Sequence, residues 1–153
     1  KIGGRDSIPE VFTTRQNTTI DPKYFEPVIQ GMADVYRYGT ASKPFIGIPG
    51  IEICGKTGTA ENYIKIDGKR MQLTDHSVFI SFAPKDDPKI ALAVFVENGY
   101  WGSRWAGRIA GLMTEKYLRD SISRKDMEQY VLNGSLMSEY EKPYSGKPFK
   151  INQ

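Results

Sequence analysis

Apolar and polar positions follow two different periods along this chain, and the change of period locates the elements. In "IDPKYFEPVIQGMADVYRYG" Phe25, Val28, Ile29, Met32, Val35 and Tyr36 recur at three- and four-residue steps, which places them on one face of a helix. Asp21 offers an N-cap oxygen, Pro22 suits the first helical position because its missing N–H would be unsatisfied there, and Gly39 stands where the helix should stop. The spacing predicts an amphipathic helix over 21–38, packed on another element. From Ile51 the period falls to two: "IEICGKTGTAEN", "HSVFISFAP" and "KIALAVFVENG" read as strands, the last two joined by the polar turn "KDDPK". Between the first two, "YIKIDGKRMQLTD" suggests a hairpin or long connection turning at Asp67-Gly68. Strands in sequence with turn signals between them favour an antiparallel meander. After "YWGS" helical spacing returns through Trp105, Ile109, Leu112, Met113 and residues 116–118, with Ser103 available as cap. Such a helix most simply lies across one sheet face, giving an α/β (α+β) fold with a helix-flanked antiparallel sheet. Ahead of the first helix, "EVFTT" and "NTTI" have the β-branched content of short strand pieces in an extended entry. At the other end "RKDMEQYVL" suits a short helix, but the remainder is polar and aperiodic, so an extended or partly disordered tail is expected over 122–153, after a body of 1–121.

With 153 residues, 39% of them apolar, the chain is long enough to bury a core. Its formal charge of +3 arises from 21 basic and 18 acidic residues scattered without a basic run, which argues against a nucleic-acid partner. Cys54 is the lone cysteine and His76 the lone histidine, so neither an internal disulfide nor a metal-ligand cluster is expected, and no cofactor is called for. The longest apolar run, Ile90 to Val96, falls far short of the roughly 20 residues that cross a bilayer. The opening "KIGGRDSIPEVFTT" has neither Met nor signal peptide and reads as a piece of something longer.

The chemistry concentrates in "GIEICGKTGTAEN", residues 50–62, which satisfies two incompatible motifs. From Gly50 it is G-x-x-x-x-G-K-T, the pattern of a phosphate-wrapping loop; from Lys56 it is K-T-G. A phosphate loop needs a small-residue turn followed by a helix that starts at the lysine. Here Ile51 to Cys54 have strand character and Gly58 follows at once, so the strand reading is preferred. In it Lys56 supplies an ammonium, Thr57 and Thr59 hydroxyls, and Gly58 a place where a ligand or another element can approach the backbone. This set suits a peptide-like ligand ending in a carboxylate.

Together with "TIDPKYFEPVIQGMADV", "GTA" at 39–41, "ICGKTGTAE", "DHSVFISFAP", "VFVENG" and the closing helix, in that order over residues 18–119, the chain resembles the C-terminal part of a class B penicillin-binding protein, most like the penicillin-binding protein 2 branch. It departs from the family at Val78 and Ser81, where Trp and Gly are frequent. The resemblance implies a partial transpeptidase (β-lactamase-like) fold and a serine-type D,D-transpeptidase parent that cross-links peptidoglycan stem peptides and is acylated by β-lactams. It implies that Lys56 tunes proton transfer, that Thr57 and Thr59 bind the ligand's carboxylate, that the Thr59 N–H stabilises the oxyanion and that Gly58 keeps the strand surface clear. It also implies an extracytoplasmic, membrane-anchored parent with cell-wall elongation partners, including a glycosyltransferase. None of the serines from Ser7 to Ser145 begins S-x-x-K or S-x-N, so the nucleophile and middle motif are expected upstream, and the chain alone is expected to be inactive and prone to self-association. Two alternatives remain open: a β-lactamase or β-lactam sensor of the same fold, and a non-catalytic peptidoglycan-binding or assembly module. Elsewhere His76 reads as a structural hydrogen-bonding residue and Cys54 as a small buried hydrophobe. Trp101 and Trp105 read as packing or groove-rim residues, and Glu97 and Asn98 as a turn.

Overall fold

The computed structural model of the chain describes residues 9–14, 17–42 and 47–141. Glu10–Thr13 form a single helical turn, α1, rather than a strand, with the Glu10 carbonyl accepting from Thr14 N at 3.0 Å and Thr13 Oγ1 at 2.9 Å. "NTTI" forms no strand either. β-branched content makes a strand only where a neighbouring strand supplies hydrogen bonds, and here none does. The rest of the expected extended entry, 1–8 and 15–16, lies outside the described residues. Asp21 then caps as the sequence predicts: its carboxylate accepts from Lys23 N at 3.0 Å, and a short 3-10 turn, Pro22–Tyr24, leads into α2, Phe25–Arg37. Gly39 follows the stop because a Cβ there would lie 2.8 Å from the Val35 Cα.

Helix α2 packs against β1, Cys54–Ala60. That strand pairs antiparallel with β4, His76–Ala83, which pairs antiparallel with β5, Ile90–Val96, in the sheet order β1-β4-β5. The expected meander is present, interrupted by a separate ribbon of β2, Tyr63–Ile66, and β3, Lys69–Gln72. Its turn is Asp67 and Gly68, at φ 50° and 75°, the left-handed pair that a two-residue hairpin requires.

Alternation along β4 sets the two faces of the sheet. Ser77, Phe79, Ser81 and Ala83 are buried, while the intervening Ile80 is 47% exposed. On the buried face Phe79, fully enclosed, meets Tyr36 of α2 edge-on at 5.9 Å between ring centroids and packs with Ala106 and Ala110 of α3, Ala106–Arg119. Alanines at those contacts let α3 lie close across β4 and β5. The start of α3 corrects the expected Ser103 cap. Trp105 occupies the N-cap position without a side-chain bond, and the Ser77 hydroxyl reaches across from β4 to accept from Ala106 N at 3.2 Å. The same hydroxyl donates to the Trp101 carbonyl at 2.8 Å, so one buried serine satisfies both ends of the entry loop.

The expected short helix after residue 121 is α4, Lys125–Leu132, and among the described residues of the expected extended tail Met137–Glu141 form a further helix, α5. Long-range contacts order this stretch. Tyr130 stacks on Trp105 with centroids 5.4 Å apart, and Thr74 Oγ1 donates to the buried Glu139 carboxylate at 3.2 Å. Residues 142–153 lie outside the described set. No helix among the described residues is long and apolar enough to cross a membrane.

Candidate active site

The K-T-G stretch lies inside β1, with Lys56 opposite Ile80, Thr57 opposite Phe79, Gly58 opposite Val78 and Thr59 opposite Ser77. This decides against the phosphate-loop pattern. Gly50, at φ 74°, turns the chain between Ile48 and Ile51, Ile53 is buried in the core, and Lys56 continues a strand rather than opening a helix. The residues that would have to wrap a phosphate are spent on packing.

Register places Lys56 and Gly58 on the half-open face with Ile80 and Val78, and Thr57 and Thr59 on the face of Phe79 and Ser77, where Thr57 is half-buried and Thr59 exposed. Ammonium and hydroxyls therefore come together only around the strand edge. Lys56 Nζ bends to donate to the Thr57 carbonyl at 2.8 Å. Among the described residues β1 pairs with β4 alone, so alternate N–H and C=O groups of β1 face outward. Thr57 Oγ1 lies 2.8 Å from Thr40 Oγ1, in the segment just after α2. Sequence reasoning quoted "GTA" at 39–41 but gave Thr40 no role, since only the fold brings it beside Thr57.

The glycines of β1 serve different neighbours. A Cβ on Gly55 would lie 2.8 Å from the Phe79 ring and 2.9 Å from the Ile80 carbonyl, so Gly55 makes room for the core. Near Gly58 the close approach comes from a loop: a Cβ on Gly102 would sit 2.4 Å from the Val78 oxygen and 2.7 Å from the Gly58 oxygen. The loop leading into α3 is thus seated on the K-T-G strand, and it presents Trp101, 62% exposed, beside that seat. Trp105 instead is buried against Tyr130 and acts in packing.

The other singled-out residues are structural in their contacts. His76 Nδ1 accepts from Asn98 N at 3.1 Å, and Asn98, at φ 53°, makes the turn after β5. Asn98 Oδ1 in turn accepts from Asn62 Nδ2 at 2.8 Å, at the foot of the β2–β3 ribbon. Cys54 is fully buried, its thiol directed at the Ile29 carbonyl at 3.6 Å, and burial pushes that thiol above its ordinary pKa, which opposes thiolate formation. No group of metal-ligating side chains occurs among the described residues. Sequence reasoning also missed Glu115, a fully buried carboxylate on α3. Burial would raise its pKa, but hydrogen bonds from Ser123 and Arg124 outweigh that and hold it below the ordinary value.

Comparison with known proteins places this geometry. The family described as penicillin binding protein transpeptidase domain matches residues 11–118. The chain is 35% identical over 125 residues to the peptidoglycan D,D-transpeptidase MrdA of Acinetobacter baumannii, covering 74% of this chain and 18% of that protein. It superposes on the imipenem acyl-enzyme complex of penicillin-binding protein A from M. tuberculosis with a TM-score of 0.55 at 30% identity, over 68% of this chain and 21% of that one. Pseudomonas aeruginosa PBP2 in complex with WCK 5153 gives 0.51 at 28% identity, over 71% of this chain and 23% of that one. The chain thus spans about a fifth of the length of the relatives it matches. These matches show that the chain belongs to the penicillin-binding protein transpeptidase domain family, in its class B branch.

Proposed function

We propose that this chain forms one wall of the active site of a peptidoglycan D,D-transpeptidase whose serine nucleophile lies outside these residues. The observation that carries the reading is the edge strand itself, with Lys56 Nζ drawn to the Thr57 carbonyl and Thr57 and Thr59 following on the same strand. In the reaction a serine Oγ, relieved of its proton, attacks the penultimate D-Ala carbonyl. The tetrahedral intermediate expels the terminal D-Ala, whose amine leaves with a proton, and the resulting ester passes its acyl group to an amine of a second stem peptide. Lys56 tunes the proton transfer by electrostatics, through a serine of the S-x-N type. The hydroxyls of Thr57 and Thr59 receive the terminal carboxylate, Thr57 being held by Thr40. The Thr59 N–H donates to the developing oxyanion, a contact worth about 3 kcal/mol where single donors have been removed.

Acylation by β-lactams follows from the same geometry, with the lactam carbonyl in place of the peptide. The open sheet face carrying Ile80, 47% exposed, and Phe95, 55% exposed, is where the upstream part of the domain would pack. Without that cover the chain would self-associate. The parent would work at the extracytoplasmic face of the cytoplasmic membrane, beside a glycosyltransferase of cell-wall elongation. Intact mass after incubation with benzylpenicillin tests the reading on this chain and on a longer protein extended upstream. The longer protein should gain one penicilloyl adduct and this chain none. No adduct on either would favour a non-catalytic peptidoglycan-binding module, and an adduct that hydrolyses rapidly would favour a β-lactamase.

A further inference from the structure

The family match ends at residue 118, yet residues 119–141 reach the turn at 47–49 that leads into the K-T-G strand and, through Thr74, Asn62 just past its end. At the entry end Arg124 is a three-way tie. Its Nε donates to Glu115 at 2.9 Å, its Nη2 to the Gly111 carbonyl at 2.8 Å, and its Nη1 to the Gly47 carbonyl at 2.9 Å. Arg119, the last residue of α3, donates to the Pro49 carbonyl. Gly47 and Pro49 belong to the turn that delivers the chain into β1, where Ile48 and Ile53 enter a core shared with Leu118. Glu115 is satisfied on its other oxygen by Ser123 N at 3.2 Å and by the Ser123 hydroxyl. At the exit end Glu139 of α5 accepts from Thr74 Oγ1 at 3.2 Å, and the Thr74 carbonyl accepts from Asn62 Nδ2 at 3.1 Å. Asn62 stands two residues past the end of β1.

We infer that the segment 119–141 is a brace that sets the position of the K-T-G strand from both ends, with Arg119 and Arg124 as positioning residues at its entry and Glu139, through Thr74 and Asn62, at its exit. The arginines hold backbone carbonyls and leave the strand's outward edge uncovered. The brace therefore acts on where Lys56 and Thr59 N stand rather than on the ligand. A guanidinium is suited to the task because its rigid fork fixes several acceptors at once, whereas an ammonium is a single point of charge. Displacements of about 1 Å in such a site cost about a hundredfold in rate. Its catalytic consequence rests on the transpeptidase reading; its structural part does not.

The test uses Arg124→Lys, Arg119→Met and Thr74→Val; Arg119→Met removes the more distant cation at 4.0 Å from Glu115, but each variant keeps a cation at position 124 beside it. In this chain, amide hydrogen exchange by mass spectrometry should rise about fivefold or more across 47–62, the value of roughly one hydrogen bond, while α3 stays protected. Exchange that is unchanged at 47–62, or raised evenly through the whole chain, would overturn the brace. In the longer protein, the benzylpenicillin acylation rate measured well below the melting temperature should fall about tenfold for Arg124→Lys and Thr74→Val. Variants that melt lower yet acylate at the parental rate would reduce these residues to scaffold and overturn the proposal. If the parental protein forms no adduct, the transpeptidase reading fails while the exchange data still decide the brace.

Discussion

Gly102 offers the sharpest test of how the K-T-G strand is held. In Gly102→Ala the new methyl would meet the Val78 oxygen at 2.4 Å, the Gly58 oxygen at 2.7 Å and the Gly58 nitrogen at 3.0 Å. All three are backbone atoms of paired strands, so no side-chain rotamer can relieve the clash. Either the β1–β4 pairing parts at Gly58 and Val78, or the loop lifts. Lifting the loop gives up the two hydrogen bonds through which Ser77 holds Trp101 and Ala106, about 1 kcal/mol each, and uncovers apolar surface around Trp105. Both routes come to about 3 kcal/mol, the upper part of the usual range for overpacking. For a chain of this length that is a fall of about 6–12 °C in melting temperature. Both tryptophans of the chain lie in or next to this loop, so intrinsic fluorescence reports on it directly during urea or thermal unfolding. Gly31→Ala serves as the control. Nothing lies within 4 Å of the added methyl there, and α2 should gain about 0.5–1 kcal/mol. A Gly102→Ala variant within 0.5 kcal/mol of the parent would mean that the loop is not seated on Gly58, and the account of the site's neighbour would be wrong.

Three further outcomes are expected. Glu115→Gln should cost about 3 kcal/mol, because it leaves Arg124 beside a neutral partner in a buried site. Since the Glu115 carboxyl is held below its ordinary 4.5, its stabilisation is complete above that pH and is lost as pH falls through the lowered value, so melting curves taken downward from neutral pH should show an acid loss that Glu115→Gln diminishes. Lys56→Ala should change stability by less than about 0.5 kcal/mol, since the side chain is exposed, yet abolish β-lactam acylation of the longer protein, as rate and melting measurements on the same sample would show. Tyr36→Phe should leave stability unchanged or raise it by up to about 1 kcal/mol, because the buried Tyr36 hydroxyl has no hydrogen-bond partner among the described residues; a loss beyond that in urea unfolding would reveal one.

What the sequence made legible was whatever short-range periodicity specifies. Helix α2 was readable from its one-sided apolar stripe and from Asp21 and Pro22, the ribbon from Asp67-Gly68, and β4 and β5 from alternation and β-branched content. The misreadings share one physical cause. "EVFTT" has strand composition but no strand to pair with, so a local helical turn satisfies its backbone. Ser103 looked like the cap of α3, while the actual acceptor, Ser77, comes from a strand 29 residues earlier than Ala106. The polar stretch leading to α5 is ordered by Thr74, 65 residues from Glu139, which no local pattern encodes. Within the site, Lys56, Thr57, Gly58 and Thr59 were visible as a motif, but Thr40 beside Thr57 and Gly102 against Gly58 are tertiary facts. Glu115 was hidden for the opposite reason: a charged helix residue ordinarily faces water, and only Arg119 and Arg124 downstream hinted at its burial.

Whether β1 lines the acylation site is decided by a crystal structure of the longer protein acylated by benzylpenicillin. The ester carbonyl oxygen should lie about 3 Å from Thr59 N, with the ligand carboxylate in hydrogen-bond reach of Thr57 Oγ1. An acyl group whose oxygen and carboxylate are both held by residues outside 56–59 would contradict it.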